Sequence, residues 1–226
     1  MLQRVVYKAQ LKSGEIRGIL APSFGQRIQN EKGTTANFEV RLVTGEWPKD
    51  RDIPQIEPTA KDLQANNFLQ SDDPKVVALA KELGTAETDP WKLAKSAEAM
   101  VHSKIKRKDF SQAFATAAEV ARDLEGDCTE HAVLLAAVCR ARKIPAKVCI
   151  GLVYVPSMKG FAFHAWNEVW VKDRWIPLDA TLGRGFVPPD HIKLADTNLD
   201  GGNAFAAVLP VVRAMGQLEL EVVTVE

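Results

Sequence analysis

Val5, Tyr7, Ala9 and Leu11 alternate with Val6, Lys8 and Gln10, a period of two that predicts a half-buried strand. Ser13-Gly14 marks a turn, "EIRGIL" (Glu15 to Leu20) offers a short partner strand, and "NFEVRLV" (Asn37 to Val43) alternates again. Trp47-Pro48, Pro54 and Pro58 then break any regular pattern. Residues 1–58 therefore read as a β-rich segment with a Pro-rich connector, like the tail of a preceding domain. Residues 59–226 read as the second unit.

From Asp72 the period becomes helical. Asp73-Pro74 supplies an N-cap and a first-turn proline for "KVVALAKEL", which stops at Gly84. Asp89-Pro90 repeats that grammar, with Trp91, Ala94, Ala97, Val101 and Ile105 on one stripe. Thr116 and Glu119 form a capping box ahead of "AAEVARDL", and a fourth helix opens at Cys128. After Pro145 the pattern changes to strands: "AKVCIGLVYV", continuous and apolar, then "FHAWNEVWV" and "RWIPLDAT" across a Lys172-Asp173 turn. "AFAAVLPVVRAM" predicts a helix flawed by Pro210, and "QLELEVVTV" a closing strand. The architecture expected is α+β, with helices packed on an antiparallel sheet and extra N-terminal strands.

Composition narrows the function classes. The 226 residues carry 29 Lys+Arg and 29 Asp+Glu, so no global field draws in nucleic acid or an anionic membrane. "KIKRK" (Lys104 to Lys108) is the one basic cluster, and it reads as a solvated helix end. No apolar run approaches the roughly 20 residues of a membrane span. "MLQRVVYKAQLKSGE" lacks a signal-peptide core, so the chain reads as soluble and without an export signal, its compartment left open. Three cysteines cannot all pair, and no CxxC occurs, which argues against a disulfide framework and leaves at least one thiol unpaired within the chain.

The chemistry gathers in three segments. "GDCTEHA" puts Cys128 at a helix N-terminus, where unpaired N–H groups and the helix dipole favour a thiolate. "FHAWNEVWV" puts His164 on a strand, and "RWIPLDAT" puts Asp179 at the end of the next. Together these are a nucleophile, a base and a base-orienting carboxylate on three rigid elements. The Cys128 N–H could also donate to a developing oxyanion. Cys139 and Cys149 sit in apolar surroundings and read as core.

This constellation resembles the transglutaminase-like superfamily, and within it the bacterial members described as cysteine proteases. The resemblance rests on Gly126-Asp127-Cys128 with Ala132, Leu134 and Leu135 behind them. It rests equally on His164-Ala165-Trp166-Asn167-Glu168-Val169 and on Trp175-Ile176-Pro177-Leu178-Asp179-Ala180-Thr181. It covers about Phe68 to Glu226 and implies a papain-like fold with thiol-based acyl transfer. The function expected is hydrolysis of peptide or amide bonds through a thioester at Cys128. The alternatives are protein cross-linking to amines and a binding module with a vestigial triad. A peptide or protein is the expected partner; no motif sets the oligomeric state.

No cofactor or metal is expected. A zinc set of Cys128, Glu130, His131 and His164 is the weaker reading, because a carboxylate–imidazole contact explains Glu130 and His131 equally well. His102 and His191 read as surface or helix-face residues, and Trp91 as packing. Trp166 shares a strand face with His164, and Trp170 and Trp175 are expected around the same site. "YVPSMKGFAFH" and "TLGRGFVPP" read as rim loops.

Overall fold

In the computed structural model the alternating N-terminal stretch forms β1 (Arg4–Leu11), with Val5, Tyr7, Ala9 and Leu11 buried. The residues described are 2–44, 56–106, 115–200 and 204–226, with the side chains of 204–207 left aside. Trp47 to Pro54 of the connector and the last two residues of "KIKRK" lie outside them. The expected partner strand at Glu15–Leu20 is a turn instead. Ile19 N–H donates to the Ile16 carbonyl, Gly18 adopts φ +78°, and Ile16 and Leu20 reach the core from that bend. The pairing falls to the polar β2 (Gln26–Lys32), which meets β3 (Thr35–Arg41), and β3 meets β1.

Local grammar fixes the helices. Asp73 and Asp89 each accept a 2.8 Å bond from a first-turn N–H, starting α1 (Pro74–Glu82) and α2 (Pro90–Lys104). The Thr116–Glu119 capping box starts α3 (Ala117–Asp123). α4 (Cys128–Ala141) is buried around nearly its whole circumference from Thr129 to Arg140. Arg140 is accommodated because its guanidinium donates to the carbonyls of Ala146 and Gln64 and to Asn198 Oδ1.

A second antiparallel sheet packs on α4. It contains β4 (Ala146–Val155), β5 (Gly160–Val171), β6 (Arg174–Leu178) and β7 (His191–Thr197), ordered β6-β5-β4-β7. Asn167 on β5 donates to the Ala132 carbonyl of α4 at 2.9 Å, so strand alternation turns His164, Trp166 and Glu168 to the other face. β7 is not visible as a strand in "HIKLADT". Its inward Lys193 is buried only because Nζ meets Glu168 and Asp196 at 2.7 Å each. Gly151 on β4 lies where the β7 register shifts, and a Cβ there would stand 2.0 Å from the Ile192 carbonyl oxygen.

α5 (Ala204–Ala214) carries Pro210 within it, and β8 (Leu218–Val225) returns to pair with β1, giving the order β2-β3-β1-β8. The mixed α+β architecture expected from the hydrophobic pattern is thus present, with two sheets rather than one. Among the described residues no helix is long and apolar enough to cross a membrane.

Candidate active site

Gly126 adopts φ +144°, and a Cβ there would lie 2.3 Å from the Glu130 side chain. That backbone lets Asp127 cap α4: its Oδ1 accepts from Thr129 N–H at 2.8 Å, and Glu130 Oε2 accepts from Asp127 N–H at 3.0 Å. Glu130 also accepts from Ala115 N–H and the Thr129 hydroxyl, and burial pushes its carboxyl up. His131 Nδ1–H donates to the Asp127 carbonyl at 2.6 Å, and burial pushes its imidazole down. Glu130 and His131 therefore hold the turn that carries Cys128. The thiol of Cys128 is half-buried, whereas Cys139 and Cys149 are fully buried. Burial pushes Cys139 up to about 12 and Cys149 also well above the ordinary thiol range.

His164 Nε2 lies 2.8 Å from Asp179 Oδ2, and the Cys128 side chain also acts on this imidazole. Burial works to lower the basicity of His164, but the bonds to Asp179 and Cys128 carry its pKa up to about 9. Asp179 is completely buried, one residue beyond β6. Burial favours its neutral form, yet the adjoining imidazoles hold it below the usual carboxylate range. Its other oxygen accepts from Thr181 N–H at 2.8 Å. Glu98 of α2 fixes this segment, accepting from the N–H groups of Asp179 at 3.1 Å and Gly185 at 2.7 Å. Burial pushes the Glu98 carboxyl up to about 7, against those two bonds.

The structure brings Cys128, His164 and Asp179 together. Trp166 joins them, stacked on His164 with ring centroids 6.1 Å apart. Trp170 and Trp175 instead pack on each other, and Lys147 lies over the Trp175 ring at 4.3 Å. Trp91 is buried as packing, with Lys95 over its ring.

His191 corrects the expectation of a surface position. It is 3% exposed, with Nε2 at 3.2 Å from Asp179 Oδ2 and Nδ1 at 2.6 Å from Asp190 Oδ1. Neither periodicity nor spacing marks it; the only local signal is an acid and a histidine side by side after Pro188-Pro189. His102 is exposed, yet its Nδ1–H donates to the Ala180 carbonyl at 3.0 Å. All four histidines of the chain thus converge on Asp179, its flanking backbone or the Cys128 turn. Among the described residues, the grouping with metal-like spacing is His164, Asp179 and His191, whose donor atoms lie within 4.8 Å of one another. Hydrogen bonds already join these atoms, and the Cys128–Glu130–His131–His164 set does not assemble.

The comparisons with known proteins agree with this architecture. The family model described as "Transglutaminase-like superfamily" matches residues 77–180, from within α1 to just past Asp179. No curated protein matches the chain. A solved structure from Cytophaga hutchinsonii, a candidate cysteine protease, is 16% identical with a TM-score of 0.61. That match covers 100% of this chain and 89% of the other. The periplasmic domain of TgpA from Pseudomonas aeruginosa is also 16% identical, with a TM-score of 0.48, covering 79% of this chain and 88% of its own. Residues 77–180, which hold the Cys128 helix, the His164 strand and the acid-bearing turn in this order, are thus similar to the transglutaminase-like superfamily.

Proposed function

We propose that this chain is a cysteine-dependent acyl-transfer enzyme that hydrolyses peptide or amide bonds of a peptide or protein substrate. In this reading the Cys128 thiolate attacks the substrate carbonyl, and the Cys128 N–H at the helix start steadies the oxyanion. Protonated His164 gives its proton to the leaving amine as the C–N bond breaks, which leaves a thioester on Cys128. Water then attacks the thioester, His164 takes its proton, and the acid departs as the thiol is restored. Asp179 keeps the imidazole oriented and stabilises its charged form.

The observation that carries this reading is His164 held between Cys128 and Asp179, the latter at 2.8 Å, with its pKa raised to about 9. The candidate cysteine protease from Cytophaga hutchinsonii, alike in fold, supports the same chemistry. Hydrolysis is preferred over cross-linking because water is always present as acceptor, whereas an amine needs a site that keeps water from the acyl-enzyme.

Iodoacetamide labelling followed by mass spectrometry tests the assignment, with buried Cys139 and Cys149 as internal controls. Cys128 is expected to label rapidly at about pH 6, and Asp179→Asn to slow that labelling by tenfold or more. No labelling of Cys128 in the folded protein, or unchanged labelling in Asp179→Asn, would remove the triad. A denatured protein substrate with a tagged primary amine then separates the outcomes. New chain termini signify hydrolysis, and tag incorporation signifies cross-linking.

A further inference from the structure

His191 lies eleven residues past the matched segment, which ends at residue 180, so nothing in the family likeness assigns it a role. Its surroundings are unusual for a structural histidine. Each ring nitrogen faces a carboxylate oxygen: Nε2 meets Asp179 Oδ2 at 3.2 Å, and Nδ1 meets Asp190 Oδ1 at 2.6 Å. An ionised carboxylate only accepts, and a neutral imidazole donates from one nitrogen while the other presents a lone pair. Both contacts are satisfied together only by the imidazolium, which donates from both.

The shared atom gives this cation its influence. Asp179 Oδ2 receives His164 as well as His191, while Oδ1 is engaged by Thr181 N–H. The ring of Trp166 stacks on His164 and meets His191 edge-on at 5.4 Å, closing the space between them. Tyr7 Oη–H donates to the Pro189 carbonyl at 2.9 Å, which fixes the turn bearing Asp190 and His191. Asp190, about one-third exposed, connects this buried row to solvent.

We infer that His191 is a cationic positioning residue that extends the row Cys128–His164–Asp179 to Asp190, anchoring the Asp179 carboxylate and taking part of its charge. The row alternates in sign along its length when Cys128 and His164 form a thiolate–imidazolium pair. His191 thereby sets how much of the Asp179 charge reaches His164, and so the pH range in which His164 stays protonated. The charged groups facing His191 are Asp190 on its own segment, Asp179 after β6 and His164 on β5. Arg41, Glu168 and Lys193 line the small cavity beside it, and Tyr7 is close enough to feel the Asp190 charge. This inference rests on the proposed reading of Cys128 and His164, but its central claim is measurable without turnover.

The experiment uses the whole chain labelled with 15N-histidine, as wild type, His191→Gln, Asp190→Asn and the double variant. Four imidazoles give a spectrum simple enough to follow each through a pH titration. His191 is expected to show two protonated nitrogens through neutral pH. In His191→Gln, which keeps a donor to Asp179 but loses the charge, the His164 midpoint is expected to rise by about one pH unit, tenfold in proton affinity. The pH profile of Cys128 alkylation should move the same way. Asp190→Asn should produce a smaller shift in that direction, and the double variant should match His191→Gln, since Asp190 acts through His191.

A neutral His191 tautomer at pH 7, or superimposable His164 titrations in wild type and a folded variant, would overturn the inference. If His191→Gln does not fold, the Asp190→Asn titration decides. A wild-type protein whose Cys128 never labels would instead sink the proposed function, and the histidine titrations would still decide this one.

Discussion

Glu98 shows how one buried side chain outside the Cys128–His164–Asp179 row bears on the site. Its two oxygens accept from the backbone N–H groups of Asp179 and Gly185 and so brace the turn after β6. The carboxyl has little water around it, and its pKa stands near 7 instead of the ordinary 4.5. The folded chain therefore holds this proton more tightly than the unfolded one, and ionisation costs stability as pH rises from about 4.5 to about 7. Above that window the cost is constant. Glu98→Gln mimics the protonated form, with one accepting oxygen and one donating group. The wild type should lose on the order of 3 kcal/mol relative to this variant across that window. Urea denaturation of both proteins at several pH values measures it. Parallel stability curves would mean that Glu98 titrates at its ordinary value.

At the level of elements, legibility followed the reach of the interactions. α1, α2 and α3 were readable because their caps lie within three residues of the helix they start: Asp73, Asp89 and Thr116. Cys128, His164 and Asp179 could be picked out as candidates because each sits at a recognisable point on a helix or strand. β7 was not, since its polar positions are buried only through distant partners, and neither was β2, whose mostly exposed polar sequence carries no apolar alternation. Lys193 needs Glu168, 25 positions away, and its backbone needs Gln26, 167 positions away. "EIRGIL" shows the opposite error: its apolar residues are buried, but the Gly18 turn takes them there without a strand. His191 was missed for the same reason as β7. The cap of α4 links local grammar to function, because Asp127 fixes the turn on which Cys128 stands. Asp127→Ala removes the acceptor of Thr129 N–H and should cost about 1 kcal/mol of stability. Cys128 alkylation should slow at the same time. A normal labelling rate in the destabilised variant would mean that the thiol is placed without help from the cap.

Across the whole molecule, the two sheets are joined by specific polar straps as well as by apolar packing. Gln26 on β2 is 2% exposed, and its amide treats Lys193 of β7 as a paired strand would. Oε1 accepts from Lys193 N–H at 2.9 Å, and Nε2 donates to the carbonyls of Lys193 and Ala21 at 2.8 Å each. Tyr7 on β1 bonds the Pro189 carbonyl, and Val43 bridges to Val187. Both sides of β7 are thereby engaged: β4 on one edge and the first sheet on the other. Beneath it, Lys147 and Lys193 face Glu168 and Asp196 in a quartet whose formal charges cancel. The first sheet thus bears on the site, because β7 begins with His191. Gln26→Leu keeps the bulk but takes the partner from Lys193 N–H and from the Ala21 carbonyl, while the Lys193 carbonyl keeps Ala21 N–H, a loss of about 2–4 kcal/mol. Hydrogen exchange should quicken at Lys193 and along β7, while the β1–β3 pairing keeps its protection. The His164 titration should broaden or shift as Asp179 loses a fixed neighbour. If β7 exchange and the His164 titration are both unchanged, the first sheet is a neighbour of the site and no part of its support.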